Sequence, residues 1–262
     1  MRSVNPAPGS AERASKPAAP SASKSATFSP LYRQIKSLIT RSLEAGEWKP
    51  GESIPSEFEL AARYAVSQGT VRKAIDELAA ENLVTRRQGK GTFVATHDEP
   101  RNLFRFLRLM PDAGEQEYPA SRLLECRRGR ASAEIAKLLE LRTGDPVVVL
   151  RRLLIFSGAP KVIDEVWLPG SIFRKLSAAV FERYHGSLYR MFETEFGVRM
   201  IRATEKIRAV PASTGDAELL GVDTASPLLQ VERVTFTYGD KPVEWRRGLY
   251  LTRDHYYRND LF

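Results

Sequence analysis

PGESIPSEFELAARYAVSQGTVRKAIDELAAENLVTRRQGKGTFV, residues 50–94, contains two helix starts, two helix stops and a glycine-punctuated turn in short order. Ser56 opens the first helix, and Glu59 three residues later completes a capping box. Leu60, Ala61 and Tyr64 give that helix its inner face. Ala65-Val66 is a turn, and Ser67 caps a second helix whose Val71, Ala74, Ile75 and Leu78 recur at helical spacing. Asn82 closes it. Leu83–Arg87 and Thr92–Val94 then flank Gln88-Gly89-Lys90-Gly91, a hairpin with a glycine-containing tip. The parts are those of a winged helix-turn-helix.

The outward residues of this unit suit a nucleic acid. A helix that enters the major groove carries polar leading residues and is held from behind by a core. Ser67, Gln68, Gly69, Thr70, Arg72 and Lys73 lie on the outward side of the second helix. Arg72 is the candidate for a bidentate contact with a guanine edge. Ser67, Thr70 and the first-turn amides suit phosphates, which position without reading sequence. Lys90 between Gly89 and Gly91 puts a cation on a slender wing tip beside the minor groove.

Upstream, Ser29-Pro30 reads as a helix start with Ser29 as N-cap and Pro30 at the first helical position. Leu31, Ile35, Leu38 and Ile39 follow as one apolar stripe. Residues 1–27, rich in Ala, Ser and Pro, cannot build a core and read as a disordered tail. The net charge of +8 over 262 residues fits an anionic partner. A single cysteine, Cys126, excludes an internal disulfide, fits a reducing cytoplasm and reads as a structural thiol. His97, His185 and His255 show no metal-ligand spacing, so no metal or cofactor is expected. No run approaches the roughly 20 apolar residues of a membrane span.

The chain after residue 110 repeats itself. Ala136–Pro146 is echoed by Ala217–Pro227, and each copy runs into a strand, VVVLRRLLIF and LLQVERVTFTY, with Arg152 and Arg233 in register. Each strand meets a Gly-containing turn and a second strand. Helix, tight turn and hairpin, used twice, predict a pseudo-symmetric α+β domain around a mainly antiparallel sheet. Ser187–Phe196 with Gly197 behind it is a further capped helix. Strand alternation puts Arg151 and Arg152 on opposite faces, and makes Glu232 the counterpart of Arg151, a candidate partner on one sheet face. The boundaries read as a tail over 1–27, a winged helix-turn-helix over 28–95, a linker over 96–110 and a second domain over 111–262.

Residues 30–94 resemble the DNA-binding domain of the GntR family of bacterial transcription regulators, through PSE-x-EL, VS-x-x-TVR-x-A and GxGTFV. Residues from about 101 onward resemble the effector-binding UTRA domain of its HutC subfamily, which shares the chorismate-lyase fold. GDPVVVLRRL, DEVWLP, SLYRMFETEFG, PVEWRR and RDHYYRNDL carry that likeness. The resemblance implies a homodimeric binder of a palindromic double-stranded DNA operator, a repressor in the commoner mode, whose affinity changes when a small metabolite occupies the second domain. It implies DNA contacts at Ser56, Glu57, Phe58, Gln68, Gln88, Gly89, Lys90 and Gly91 beside those above. This chain has Phe58 and Gln68 where the family usually has arginines, so its operator is expected to deviate from the family's usual palindrome.

The resemblance further implies that Arg152 holds an anionic effector, since relatives use an arginine there. Arg233 is its duplicate. Glu165, Glu244 and Tyr250 lie on the strands that pair with these, the last two as contacts to hydroxyl or amino groups. Leu154 stands where relatives often carry a second arginine, which points away from a sugar phosphate toward a smaller or more apolar acid. The competing reading, a chorismate-lyase-like enzyme with a DNA-binding appendage, lacks a nucleophile with a nearby base, a metal set or a phosphate-cradling loop.

Overall fold

A computed structural model describes Met1 and residues 29–98 and 106–259. The stretch read as a tail lies outside the described residues apart from Met1. In the first unit, helices α1 (Leu31–Glu44), α2 (Glu57–Tyr64) and α3 (Gln68–Ala80) pack against a hairpin of β1 (Val84–Arg87) and β2 (Gly91–Val94). Ile35, Ile39 and Leu43, Leu60, and Val71, Ala74, Ile75 and Leu78 bury one stripe of each helix in a shared core. Local chemistry fixes where the helices begin. Ser56 and Glu59 form the full capping box, and the Ser67 side chain accepts from the Thr70 amide. Ala65 and Asn82 take left-handed conformations that end α2 and follow α3.

The start of α1 differs from the sequence expectation. Pro30 itself is the N-cap, with an extended ψ of 142°, so it cannot be the first helical residue, and Ser29 makes no side-chain cap. Instead the Ser29 carbonyl accepts from the Gln34 amide group at 2.8 Å.

The second unit is a six-stranded antiparallel sheet in the order β4-β5-β6-β9-β8-β7. Its elements are β3 (Leu109–Pro111), β4 (Ala120–Arg130), α4 (Ala133–Leu138), β5 (Pro146–Phe156), β6 (Ala159–Pro169), α5 (Ala178–Arg183), α6 (Leu188–Phe196), β7 (Arg202–Pro211), α7 (Thr214–Leu220), β8 (Pro227–Phe236), β9 (Pro242–Tyr250) and β10 (His255–Tyr257). The repeat is therefore longer than the sequence suggested: strand, helix, hairpin, with β4 and β7 leading the two copies. The copies meet at β6 and β9, where Glu165 sits opposite Arg247. Exchanging the two copies maps one of these residues onto the other, so the pair marks the pseudo-twofold axis.

Strand alternation sorts the sheet into two faces. Val147, Val149 and Trp167 face α4, and Leu153, Ile163 and Leu249 face α7. On the opposite face Val148, Leu150, Val166, Leu168 and Val243 pack under α6. Arg152 and Arg233 belong to this second face.

Two further expectations need correction. Arg151 and Glu232 do not pair: the strand order puts β5 and β8 three strand spacings apart, roughly 14 Å. Arg151 lies 3.4 Å from Asp216, and Glu232 lies 3.3 Å from Arg208. The described ends of the stretch 96–110 are not bare linker either, because β3 pairs with β10 at the far end. At the near end Thr96 Oγ1 and the His97 amide both donate to Glu193 Oε2 of α6.

The same neighbourhood joins the two units. Arg199, 3% exposed, donates to the carbonyls of Leu83 (3.1 Å) and Asn82 at the end of α3. The Met200 amide donates to His97 Nε2, and Ile201 enters the core of the first unit.

Candidate functional site

The outward face of α3 is organised by one carboxylate. Glu57 Oε2 accepts from Arg72 Nε at 2.9 Å and from the Gln68 side chain at 3.2 Å, while Oε1 accepts from Arg86 at 2.9 Å. Burial alone would push the Glu57 carboxyl up, but the hydrogen bonds from Arg86 and Arg72 outweigh it and hold it below its usual value. Because Arg72 is held through Nε, its two terminal nitrogens remain for a planar, bidentate acceptor. Arg86 also bonds Asp76 at 2.7 Å, which fastens the hairpin to α3.

The other sequence candidates divide by what already holds them. Ser56 spends its hydroxyl on Glu59, and Ser67 and Thr70 bond each other at 2.9 Å. Lys73 Nζ lies 4.1 Å from the centre of the Tyr32 ring, so α1 steadies it. Gly69, Gln88, Gly89, Lys90 and Gly91 are exposed, and positive φ at Gly89 and Gly91 lets the tip turn tightly. Phe58 is 72% exposed beside Glu57.

The second site is a recess between the arginine-bearing sheet face and the start of α6. Its inner part, about 60 Å³, is lined by Phe106, Leu107, Tyr118, Ser121, Arg152, Leu154, the turn Gly186–Tyr189, Arg246 and Tyr250. It continues into an outer groove of about 540 Å³ that passes His185 and Glu182. Ser187 caps α6 by accepting from the Arg190 amide, which leaves the Leu188 and Tyr189 amides without intrahelical acceptors.

A neutral buried network forms the base. Arg152 donates Nε and Nη2 to Asp164 Oδ2 at 2.9 and 2.8 Å, and its Nη1 reaches Ser121 Oγ at 3.3 Å. Arg246 lies 3.3 Å from the same Asp164 oxygen and donates Nη2 to Glu244 Oε2 at 3.2 Å. Its Nε is 3.0 Å from Glu244 Oε1 as an ion pair, although not aligned for a hydrogen bond. The Tyr189 hydroxyl donates to Glu244 Oε1 at 2.8 Å. Burial would raise the Asp164 carboxyl, but Arg246 and Arg152 outweigh that and keep it low. Burial pushes Tyr250 up to about 12, so its hydroxyl keeps its proton.

Of the five second-domain candidates, Arg152 and Tyr250 line the recess. Glu244 stands behind Arg246 and orients it. Arg233 is buried in the other half of the sheet, on Glu205. Glu165 points to the opposite face, bonding Arg247 and the Trp167 indole. Its neighbour Asp164 is the acid that meets Arg152, because the register pairs positions 152 and 164. Sequence reasoning missed Asp164, Arg246, Ser187 and Tyr189. A β-bulge between Leu154 and Ile155 shifts the hairpin register by one, and one residue of slip exchanges the faces. Cys126 is half-buried in the core under α6, and burial pushes its thiol up, as suits a structural thiol.

A winged helix-turn-helix with an ordered basic reading face, joined to a sheet domain with a ligand-sized recess, defines a DNA-binding regulator with an effector domain. Residues 31–94 match the GntR family of bacterial regulatory proteins, and residues 115–256 match the UTRA domain. The chain belongs to the GntR family and carries a UTRA domain. It is 30% identical to the uncharacterised HTH-type transcriptional regulator YurK of Bacillus subtilis, over 82% of this chain and 88% of that one. It is 28% identical to the probable fructoselysine utilisation operon repressor of Escherichia coli, over 81% of this chain and 87% of the relative. Among solved structures it resembles the ligand-binding domain of a GntR-family regulator from Bordetella bronchiseptica, with 56% identity, a TM-score of 0.58 and coverage of 60% of this chain and 98% of that one. These relatives are regulators, and the enzymatic reading falls with that. No helix among the described residues is long and apolar enough to cross a membrane.

Proposed function

We propose that the chain is a transcriptional repressor that binds a palindromic operator as a homodimer and responds to a small anionic metabolite held in the recess of its second domain. The observation that carries this reading is the course of α6. The helix starts at the recess with Ser187, Leu188 and Tyr189, and on its way to the first unit it presents Glu193 to Thr96 and His97. Arg199, just beyond it, grips the end of α3. A ligand that draws on the first turn of α6 therefore pulls on the base of the reading helix and on the strand leaving the hairpin. A coupling of about 1–3 kcal/mol is enough to shift operator affinity roughly 5–150-fold.

In this reading residues 28–95 bind DNA, 111–262 bind the effector, and 96–110 connect the two. Arg72, Gln68 and Lys90 contact the duplex, with two half-sites about one helical turn apart. Arg152 and Tyr250 touch the effector, while Glu244 acts through Arg246. The protein works in the cytoplasm, at the nucleoid when DNA-bound. Fluorescence anisotropy on the promoter beside its own gene tests the proposal. Sequence-selective binding that is lost in Arg72→Ala and relieved by one metabolite supports it. Equal affinity for scrambled DNA, or unchanged binding by Arg72→Ala, rejects it.

A further inference from the structure

The two halves of the sheet carry the same arginine, and one of them is already occupied by the protein itself. Arg152 on β5 and Arg233 on β8 hold equivalent places in the duplicated unit. Arg233 donates Nε to Glu205 Oε1 at 2.7 Å and Nη2 to the Phe106 carbonyl at 2.8 Å. The Tyr257 hydroxyl donates to Glu205 Oε2 at 2.8 Å. In that half, a guanidinium and a phenol hold a carboxylate between them.

The other half also brings an arginine and a phenol to one recess without that carboxylate, although Tyr250 on β9 is not the repeat counterpart of Tyr257 on β10. Glu205 sits opposite Arg233 on β7, and its counterpart opposite Arg152 on β4 is Leu123. Asp164 occupies Nε and Nη2 of Arg152 from the far side, so Nη1 is the nitrogen turned to the recess, with Ser121 at 3.3 Å. Tyr250 supplies the phenol. It is 4% exposed, it lines the recess, and its hydroxyl has no hydrogen-bond partner among the described residues. Gly248 makes room for the ring, since a side chain there would collide with it.

Charge sets the size of the missing anion. Arg152 and Arg246 are balanced by Asp164 and Glu244, so the base of the recess has no surplus cation. The start of α6 adds roughly half a positive charge. A phosphate ester, at about −1.5 to −2, would bring more negative charge than this site offsets. A single carboxylate fits, and the remaining wall of Phe106, Leu107, Pro119 and Leu154 is apolar.

We propose that the recess binds a small monocarboxylic acid with an aromatic or branched apolar body, its carboxylate seated between Arg152 Nη1, the Tyr250 hydroxyl and the first amides of α6. This rests on the reading of the recess as the effector site, and names the chemistry of the effector.

The test is calorimetric titration of the full chain with benzoate, phenylacetate and 3-methylbutanoate, with their amides as neutral shape matches and with glucose 6-phosphate. At least one acid should bind saturably, and its amide about tenfold or more weaker. Tyr250→Phe removes only an unpartnered hydroxyl, so without ligand it should melt like the wild type, yet it should weaken the acid roughly tenfold. Arg152→Gln should weaken it further. Glucose 6-phosphate binding that depends on Arg152 and Tyr250, with the acids silent, would overturn the carboxylate assignment and leave the recess as the effector site. Acids that fail to bind, or bind wild type and both variants alike, overturn the proposal. If no probe depends on Arg152, the effector-site reading goes as well.

Discussion

Glu193 accepts a hydrogen bond from the backbone amide of His97 at 3.0 Å, and this bond ties α6 to the chain leaving the hairpin. Glu193→Ala leaves a buried amide without its acceptor, at a cost of about 1–3 kcal/mol. The loss falls on the joint between the units and on neither core. Calorimetry should show the wild-type unfolding transition split into two in the variant, with operator binding retained. A single transition at the wild-type temperature would mean that the bond does not couple the units.

The same residue gives a pH signature. Burial pushes the Glu193 carboxyl up, more than the hydrogen bonds from Thr96 and His97 bring it down. Its folded value therefore lies above the unfolded value of roughly 4.3. Its stabilising contribution is complete below that unfolded value and is lost as pH rises through the raised folded one. Glu193→Gln cannot titrate, so denaturant midpoints measured from about pH 4 to 7 should decline less with rising pH than those of the wild type. Parallel pH profiles would contradict the assignment.

How much was legible in the sequence depends on the range of the signal. Caps and helical spacing are local, so Ser56, Ser67 and the inward faces of α2 and α3 could be read directly, and so could the Arg152–Arg233 duplication. The recess depends on which strands are neighbours and in what register, which no short window encodes. A bulge near Leu154 sends Asp164, rather than Glu165, to Arg152. Arg246 and Tyr189 meet through Glu244 only because β9 is central and α6 crosses it. Arg199 resembles any surface arginine until the two units are seen to share it.

Glu57 determines how the reading face is presented. Glu57→Gln leaves the capping residues Ser56 and Glu59 intact but removes the charge that orients Arg72 and Arg86. General affinity for DNA should hold or rise, since a negative charge leaves the interface. Discrimination between operator and scrambled duplex should fall by about 1–3 kcal/mol, roughly 5–150-fold. Competition binding against both duplexes measures this, and unchanged discrimination would show that Arg72 orients itself.

Phe58 presents an apolar ring, 72% exposed, among the residues proposed to face DNA. A thymine methyl is the apolar feature a major-groove reader meets. Replacing operator thymines one at a time with deoxyuridine should weaken wild-type binding at one position in each half-site. Loss of one methyl contact corresponds to about 0.8 kcal/mol, roughly fourfold. Phe58→Ala should bind the thymine and uracil duplexes equally. A wild type indifferent to every substitution would remove Phe58 from base reading.

Glu205 and Arg233 offer a test in the closed half of the sheet. Arg233 is fully buried, and Glu205 is the acid hydrogen-bonded to it. Removing one partner of such a pair leaves an uncompensated charge and typically costs about 3–5 kcal/mol. Glu205→Ala should lower the melting temperature by many degrees. It also opens, beside Arg233 and Tyr257, a space the size of a carboxylate. Acetate or formate at high concentration should then restore part of the lost stability, while chloride at equal ionic strength should not. Rescue by chloride alone would reduce the effect to charge screening, and the absence of any rescue would show that the side chain of Glu205 supports the fold by its packing instead.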